Sequence, residues 1–452
     1  MRNLFLASVF VLLVASALSA HTKEEWKARA IYQLLTDRFA TTDGSEPSCN
    51  LSQYCGGTFK GIINKLDYIK GMGFDAIWIS PVVKNTEGSY HGYHLTDLYQ
   101  INEHFGTADE LKQLVTEAHK KDIWVMVDVV GNHVGPVGTD YSQINPFNSA
   151  EHYHDVCQIT DWNNQDMVEN CRLCDLPDLK QENDFVTNTL VAWIADLVKE
   201  YDFDGIRIDT IPEVPKWFWD KFSASAGCYS LGEVFNGNVD YVAGYQGHVD
   251  ALFNYPLYYQ IQNAFCGSMR NIESYWLNTR TKYPDASVLG VFVENHDNNR
   301  FLNRCGDRKK FMNANIFSIM YEGIPVFYYG GEQYFNGGAD PNNREALWGH
   351  YDTSSDMYVY LKKANEVRVN KKIWNTELIQ RYADDVFYAF TRGDEVLVCV
   401  TRGESCSRSI TYHSWTDGTK LCNVFNTSDC VTVTGGAIAI NMGQEPKIYV
   451  KQ

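Results

Sequence analysis

Three acidic residues hold the same kind of place in this chain. Asp209 closes Gly205-Ile206-Arg207-Ile208-Asp209, Glu233 follows Leu231-Gly232, and Asp297 lies in Phe292-Val293-Glu294-Asn295-His296-Asp297. Each stands just past a short β-type run. A single acid of this kind is ordinarily a surface charge or a helix cap. Three at matching strand ends suit acetal hydrolysis, in which one carboxylate attacks the anomeric carbon and a protonated acid releases the leaving oxygen. Asp209 has to be ionised to attack, and the Arg207 cation beside it is expected to hold its pKa down. Glu233 has to stay protonated near neutrality, which calls for burial or a neighbouring carboxylate such as Asp297.

The elements that would carry these acids recur regularly. Short β-rich runs cover Ala30 to Leu35, Ala76 to Ile79, Ile123 to Val129, Gly205 to Ile208, Tyr229 to Leu231, Ala251 to Phe253, Val288 to Val293 and Pro325 to Tyr329. Between them lie amphipathic patterns such as Leu111-Leu114-Val115-Ala118 and Leu190-Ile194-Leu197, spaced for one helical face. Eight βα units predict an α/β fold, a (β/α)8 TIM barrel, with catalytic groups at the C-terminal strand ends; a doubly wound sheet is the structural rival. The stretch from Val129 to Gly205 is too long, too polar and too rich in Asn and Asp for one βα loop, so it predicts an inserted subdomain after strand three. A helix is expected near 184 to 200. Past residue 376 the helical period gives way to short apolar runs, Val386 to Phe390, Val396 to Val400 and Ile438 to Ile440, which predict a small C-terminal β-domain. The expected divisions are a leader over 1–20, barrel over 21–131, insertion over 132–183, barrel again over 184–376, and the β-domain over 377–452.

Composition narrows the partners. The 452 residues carry a net charge of −17, which repels phosphate backbones and anionic headgroups, so nucleic acid is not an expected partner. No apolar run of spanning length follows the N-terminus, and the basic, apolar and small-residue order of residues 1–20 reads as a cleaved secretory signal, leaving no membrane segment. In a secreted chain the twelve cysteines read as disulfides, with local loops suggested for Cys49 with Cys55, Cys157 with Cys171, and Cys422 with Cys430. Cys171 and Cys174 lack a second pair with zinc-finger spacing, which argues against zinc. Asn50-Leu51-Ser52 and Asn426-Thr427-Ser428 are glycosylation sequons. The secretory route ends outside the cell or in the lumen of an acidic vacuole.

Seven ordered blocks give the chain a further reading. They are Ile31-Tyr32-Gln33-Leu34-Leu35-Thr36-Asp37-Arg38-Phe39, Tyr90-His91-Gly92-Tyr93, Asp128-Val129-Val130-Gly131-Asn132-His133, Leu176-Pro177-Asp178-Leu179, Gly205 to Asp209, Gly232-Glu233-Val234, and Val293 to Asn298. With these blocks the sequence resembles the alpha-amylase family, glycoside hydrolase family 13, most closely its secreted fungal type, over nearly all of the chain after the leader. The resemblance implies a barrel with an inserted domain B after strand three, a C-terminal β-sandwich domain C, and retaining, endo-acting hydrolysis of α-1,4 links in starch, glycogen or maltooligosaccharides by a monomer. Asp209 matches the nucleophile, Glu233 the acid/base and Asp297 the acid that stabilises the transition state. His133, His296 and His91 match residues that hydrogen-bond the sugar at the cleavage point, beside Arg207, and Tyr93 one that stacks on it. Asp340 and Arg344 resemble a pair that binds glucose toward the non-reducing end.

The same resemblance implies a structural Ca²⁺, an ion that takes six to eight hard oxygens. Its ligands would be the side chains of Asn132, Glu169 and Asp178 and the main-chain carbonyl of Glu213, clamping domain B to the barrel. The chain also departs from the family. Pro212-Glu213 stands where many members have Lys-His, so binding on the leaving side either weakens or is rebuilt by a hydrogen bond from a sugar hydroxyl to Glu213. His94 replaces a frequent Trp. Domain C is short, with no separate starch-binding module after it, which argues against granule binding. The Pro212-Glu213 change keeps a neopullulanase or maltogenic amylase as the alternative within the class, and a catalytically silent carbohydrate-binding protein on the same fold is the alternative outside it.

Overall fold

A computed structural model describes residues 21–452; the leader expected over 1–20 lies outside them. Eight short, almost wholly apolar runs form parallel strands: β1 Ile31–Gln33, β2 Ala76–Ile79, β3 Trp124–Val129, β4 Gly205–Ile208, β5 Tyr229–Gly232, β6 Ala251–Leu252, β7 Gly290–Phe292 and β8 Ile324–Tyr328. They are hydrogen-bonded in the order β6-β5-β4-β3-β2-β1-β8-β7. A parallel bridge between Phe253 and Gly290 joins β6 to β7 and closes the ring. The TIM barrel is therefore the fold, and the doubly wound sheet is not.

Both faces of these strands are buried, which explains why they are apolar except at Gln33, Asp128, Arg207 and Ser230. Alternate residues nonetheless go to different cores. Ile31, Trp78, Trp124, Met126 and Leu231 fill the barrel interior, while Tyr32, Ile77, Val125 and Val127 pack outward under the helices. Strand edges match expectation or differ from it by one or two residues. Val288, read as the start of strand seven, ends the 3₁₀ turn Ala286–Val288, and β7 begins at Gly290. The two amphipathic patterns lie on helices Ala108–Lys120 and Asp184–Tyr201. The first opens with a capping box between Thr107 and Glu110; the second is capped by Asn183, whose side chain accepts from Phe185 N.

Between β3 and Asp184 the chain has no long element, only two 3₁₀ turns and the helix Gln165–Asn170, stapled by Cys157–Cys171. Beyond the barrel, strands β9 Leu378–Ala383, β10 Phe387–Arg392, β11 Val396–Thr401, β12 Cys406–Ile410, β13 Lys420–Asn423, β14 Asn426–Thr432, β15 Ile438–Met442 and β16 Lys447–Lys451 form an antiparallel domain. Its main sheet runs β9-β10-β11-β16-β13-β14, with β12 paired to β15. Tyr388, Phe390, Val398 and Val400 face the barrel core, whereas Phe387, Ala389, Leu397 and Cys399 form the domain's own core.

The three local disulfides expected from spacing are present, together with Cys266–Cys305. The reading of all twelve cysteines as paired is corrected: among the described residues Cys174, Cys228, Cys399 and Cys406 are free. Cys228 and Cys399 are buried and pack as small apolar groups.

Candidate active site

The period of two that fills the barrel also builds the site. Met126 and Leu231 point inward, so Asp128 and Glu233, two residues on, emerge inward at the top of the ring. Arg207 pairs in register with Asp128, and Asp209 follows two residues after it. Past β4 the chain turns at once, with Thr210 in the left-handed region (φ 51°, ψ 51°), a conformation that costs a non-glycine residue about 1–2 kcal/mol. Gly232 lets this turn lie close, because a Cβ there would sit 2.8 Å from the Ile211 side chain.

Arg207, 1% exposed, is the centre of charge. Its Nη1 donates to Asp209 Oδ1 at 2.7 Å and to Asp128 Oδ1 at 3.1 Å, and its Nη2 lies 2.7 Å from Glu233 Oε2. Tyr255 donates to Glu233 Oε1 at 3.1 Å. Burial pushes Glu233 up to about 8, reinforced by the Asp209 and Asp297 charges. Asp209 departs from expectation: burial outweighs the Arg207 cation and raises its carboxyl to about 6. Burial also acts to raise Asp297, but His296, Arg344 and Arg207 together hold it below the usual carboxylate range. Between about 6 and about 8, Asp209 is thus a carboxylate while Glu233 keeps its proton.

A cleft of about 600 Å³ opens above these groups, lined by Tyr93, His133, Asp209, Glu213, Glu233, His296 and Asp297. The Tyr93 and His296 rings are parallel, 5.6 Å apart. His91 stands behind Tyr93 and accepts from its backbone N–H at 3.1 Å; His133 Nε2 lies 3.2 Å from the Tyr93 carbonyl oxygen. Arg344 reaches Asp297 Oδ1 at 3.5 Å and the exposed Asp340 at 3.2 Å, which ties that pair to the same network. Sequence reasoning did not single out Asp128, Tyr255, Trp162 or Phe235. The rule that selected the other acids applies equally to Asp128, which stands at a barrel strand end. Trp162 and Phe235 line the cleft while 58% and 49% exposed, and nothing in their local sequence signals that placement.

Of the four residues proposed for calcium, three converge. One terminal atom of the fully buried Asn132 amide lies 3.0 Å from both the Glu213 carbonyl oxygen and Asp178 Oδ1. If that atom is the amide oxygen, three oxygens meet with no hydrogen between them, a donor set that suits a hard cation; if it is the nitrogen, it donates to both. Burial pushes Asp178 up to about 7, a cost that a divalent ion would remove. Glu169 instead accepts from Gln165 Nε2 at 2.8 Å, and the same amide donates to the Pro212 carbonyl at 2.9 Å, which holds Glu169 beside the turn. Among the described residues no three His, Cys, Asp or Glu side chains gather as a metal site, so the fit rests on the mixed amide, carbonyl and carboxylate oxygens.

With strand-end acids, cleft and insertion in place, the chain can be compared with known proteins. The profile described as "Alpha amylase, catalytic domain" matches residues 33–378. The chain belongs to the alpha-amylase family. Its relatives include Alpha-amylase 2 of Schwanniomyces occidentalis, 40% identical over 94% of this chain and 90% of that protein, and the Alpha-amylase of Saccharomycopsis fibuligera, 40% identical over 98% and 96%. Among solved structures, an alpha-amylase from Malbranchea cinnamomea superposes with a TM-score of 0.92 at 37% identity, covering 95% of this chain and 98% of that one. The chain is thus of the fungal type of this glycoside hydrolase family.

Proposed function

We propose that this chain is a secreted, monomeric, endo-acting alpha-amylase that hydrolyses internal α-1,4-glucosidic bonds of starch, glycogen and maltooligosaccharides with retention of configuration. The observation that carries the reading is the placement of two acids on one buried cation in the cleft, Asp209 and Glu233 each 2.7 Å from a nitrogen of Arg207, with burial raising Glu233 above Asp209. In the first step Asp209 attacks the anomeric carbon while the Glu233 proton passes to the glycosidic oxygen, so the C1–O bond breaks and a glycosyl ester forms on Asp209. In the second, Glu233 takes a proton from water, which attacks C1 and restores Asp209 as a carboxylate. Asp297 stabilises the positive charge at C1 in both steps, with His296, His133 and His91 on the hydroxyls and Tyr93 against the ring face. Asp340 and Arg344 hold a glucose farther toward the non-reducing end.

Asn132, Asp178 and the Glu213 carbonyl, with Glu169 beside them, would hold Ca²⁺. When bound, the ion supplies a fixed charge that ties the insertion to the turn after Asp209. The secretory reading draws on four disulfides, and no helix among the described residues is long and apolar enough to cross a membrane. Asn50 and Asn426 are both exposed, as glycan acceptors need to be.

The test is digestion of amylose followed by NMR of the first products. Retention requires the α-anomer to appear first, and the β-anomer would end the proposed mechanism. Efficient cleavage of pullulan would move the assignment to a neopullulanase, and no cleavage of any α-glucan would leave only a binding protein.

A further inference from the structure

We propose that Gln33 is a positioning residue that fixes the tautomer of His296, placing the single ring proton on Nε2, the nitrogen turned toward Tyr93 and Asp297. Gln33 closes β1, two residues after the inward-facing Ile31, and is 1% exposed. Its Nε2 lies 2.6 Å from His296 Nδ1. On the other side of the ring, His296 Nε2 lies 2.8 Å from the Tyr93 hydroxyl, which lies 2.7 Å from Asp128 Oδ2. Four groups from β1, β3, the loop after β2 and the loop after β7 thus form one chain of hydrogen bonds.

The direction of that chain follows from its acidic end. Asp128 is held by Arg207 Nη1 at 3.1 and 3.2 Å and by Trp78 Nε1 at 3.0 Å. Burial pushes it up to about 6 against the Arg207 cation, so above that pH it is a carboxylate and only accepts. The one Tyr93 proton therefore goes to Asp128, and the Tyr93 oxygen is left to accept. His296 is neutral at working pH, because burial lowers it to about 3. A neutral ring that donates from Nε2 has only a lone pair at Nδ1, and only the amide nitrogen of Gln33 can face it. Among the described residues the Gln33 oxygen has no hydrogen-bond partner, so no bond of its own holds the amide the other way round.

The tautomer matters to the reaction. His296 Nε2 is also 3.5 Å from Asp297 Oδ1, and both residues line the cleft. In the proposed state the one ring proton lies between the Tyr93 oxygen and that carboxylate, so the ring presents a donor and not a lone pair to the Asp297 charge. With the proton on Nδ1, a lone pair would face the Asp297 charge instead. The inference rests on the reading of the cleft as a glucan-hydrolysing site, but its decisive measurement does not use activity.

That measurement is two-dimensional ¹H–¹⁵N NMR of the full-length, histidine-labelled protein at pH 7.5, with the His296 signals assigned by their loss in His296→Asn. A lone-pair nitrogen at Nδ1 and a protonated nitrogen at Nε2 are expected; the reverse pattern overturns the proposal whether or not the enzyme cleaves starch. Gln33→Glu, of the same shape but with an acceptor toward the ring, should move the proton to Nδ1 and lower kcat on maltoheptaose by roughly tenfold, the scale of one lost hydrogen bond. Gln33→Met, which can only fill space, should mix the tautomers and cost less. If both variants keep the wild-type tautomer and kcat, Gln33 merely packs and the proposal fails.

Discussion

Replacing Arg207 with methionine removes the one cation that touches Asp128, Asp209 and Glu233, and leaves an apolar side chain of similar length. Its hydrogen bond to Asp209 is 2.7 Å long and buried. A cation at such a distance lowers a carboxyl pKa by roughly 1–3 units, so its loss should raise Asp209 by about that much. The sign for activity follows directly. As the proposed nucleophile Asp209 has to be ionised, so the acid limb of the kcat/KM profile, expected near Asp209's value of about 6, should move toward alkaline pH. A rise of one unit takes the ionised fraction at pH 6 from about a half to about a tenth, roughly a fivefold loss from titration alone. Losing the fork that holds both acids should add to it. Removing one member of a buried charge network also costs roughly 3–5 kcal/mol of stability, so circular dichroism and thermal melting have to accompany the kinetics. Arg207→Lys, which keeps the charge, should shift the limb less. The assay is kcat/KM on maltoheptaose from pH 4 to 10. An unmoved acid limb in a folded Arg207→Met protein would refute the view that this cation offsets part of the burial that raises Asp209.

Removal of calcium by a chelator should lower the melting temperature, because an ion bound only to the folded state stabilises it by mass action; Asn132→Ala or Asp178→Ala should copy the effect, and an unchanged melt after confirmed metal removal would refute the site. Asp209→Asn should abolish the covalent intermediate and most of kcat while substrate binding persists, since attack is lost but the cleft is not. Glu213 is buried in the cleft wall with one carboxyl oxygen unpartnered among the described residues, and burial pushes it up to about 8. If that carboxyl meets a sugar hydroxyl on the leaving side, the double change Pro212→Lys with Glu213→His should lower turnover of short maltooligosaccharides several-fold, on the scale of a hydrogen bond of about 0.5–1.5 kcal/mol. Improved turnover with shifted cleavage positions would instead mean that the wild-type pair weakens that subsite.

Local sequence determined a large part of this protein. Runs such as Ala76–Ile79 and Gly205–Ile208 are legible as buried strands because both of their faces are covered and every residue is apolar or pairs internally. The acids Asp209 and Glu233 are legible because a strand end is a sequence position as well as a spatial one. Disulfides with short loops, such as Cys49–Cys55, are legible because the loop itself keeps the thiols near each other. Tertiary structure decided what depends on distance in space. Cys266 and Cys305 lie 39 residues apart and meet because helices Tyr255–Cys266 and Phe301–Cys305 end side by side, whereas Cys228 and Cys399 stay single because each is enclosed in a core. The closure of the ring at Phe253 and Gly290 is likewise a property of eight strands together. The state of Asp209 is the clearest case. Arg207 two residues away predicts a lowered pKa, but the depth of burial, which no local window contains, outweighs the cation. The bond from Gln33 to His296 spans 263 residues of chain. A glutamine in a strand reads as a polar interruption until the barrel folds and turns it toward the ring, because inward direction is set by strand period while the partner is set only by closure.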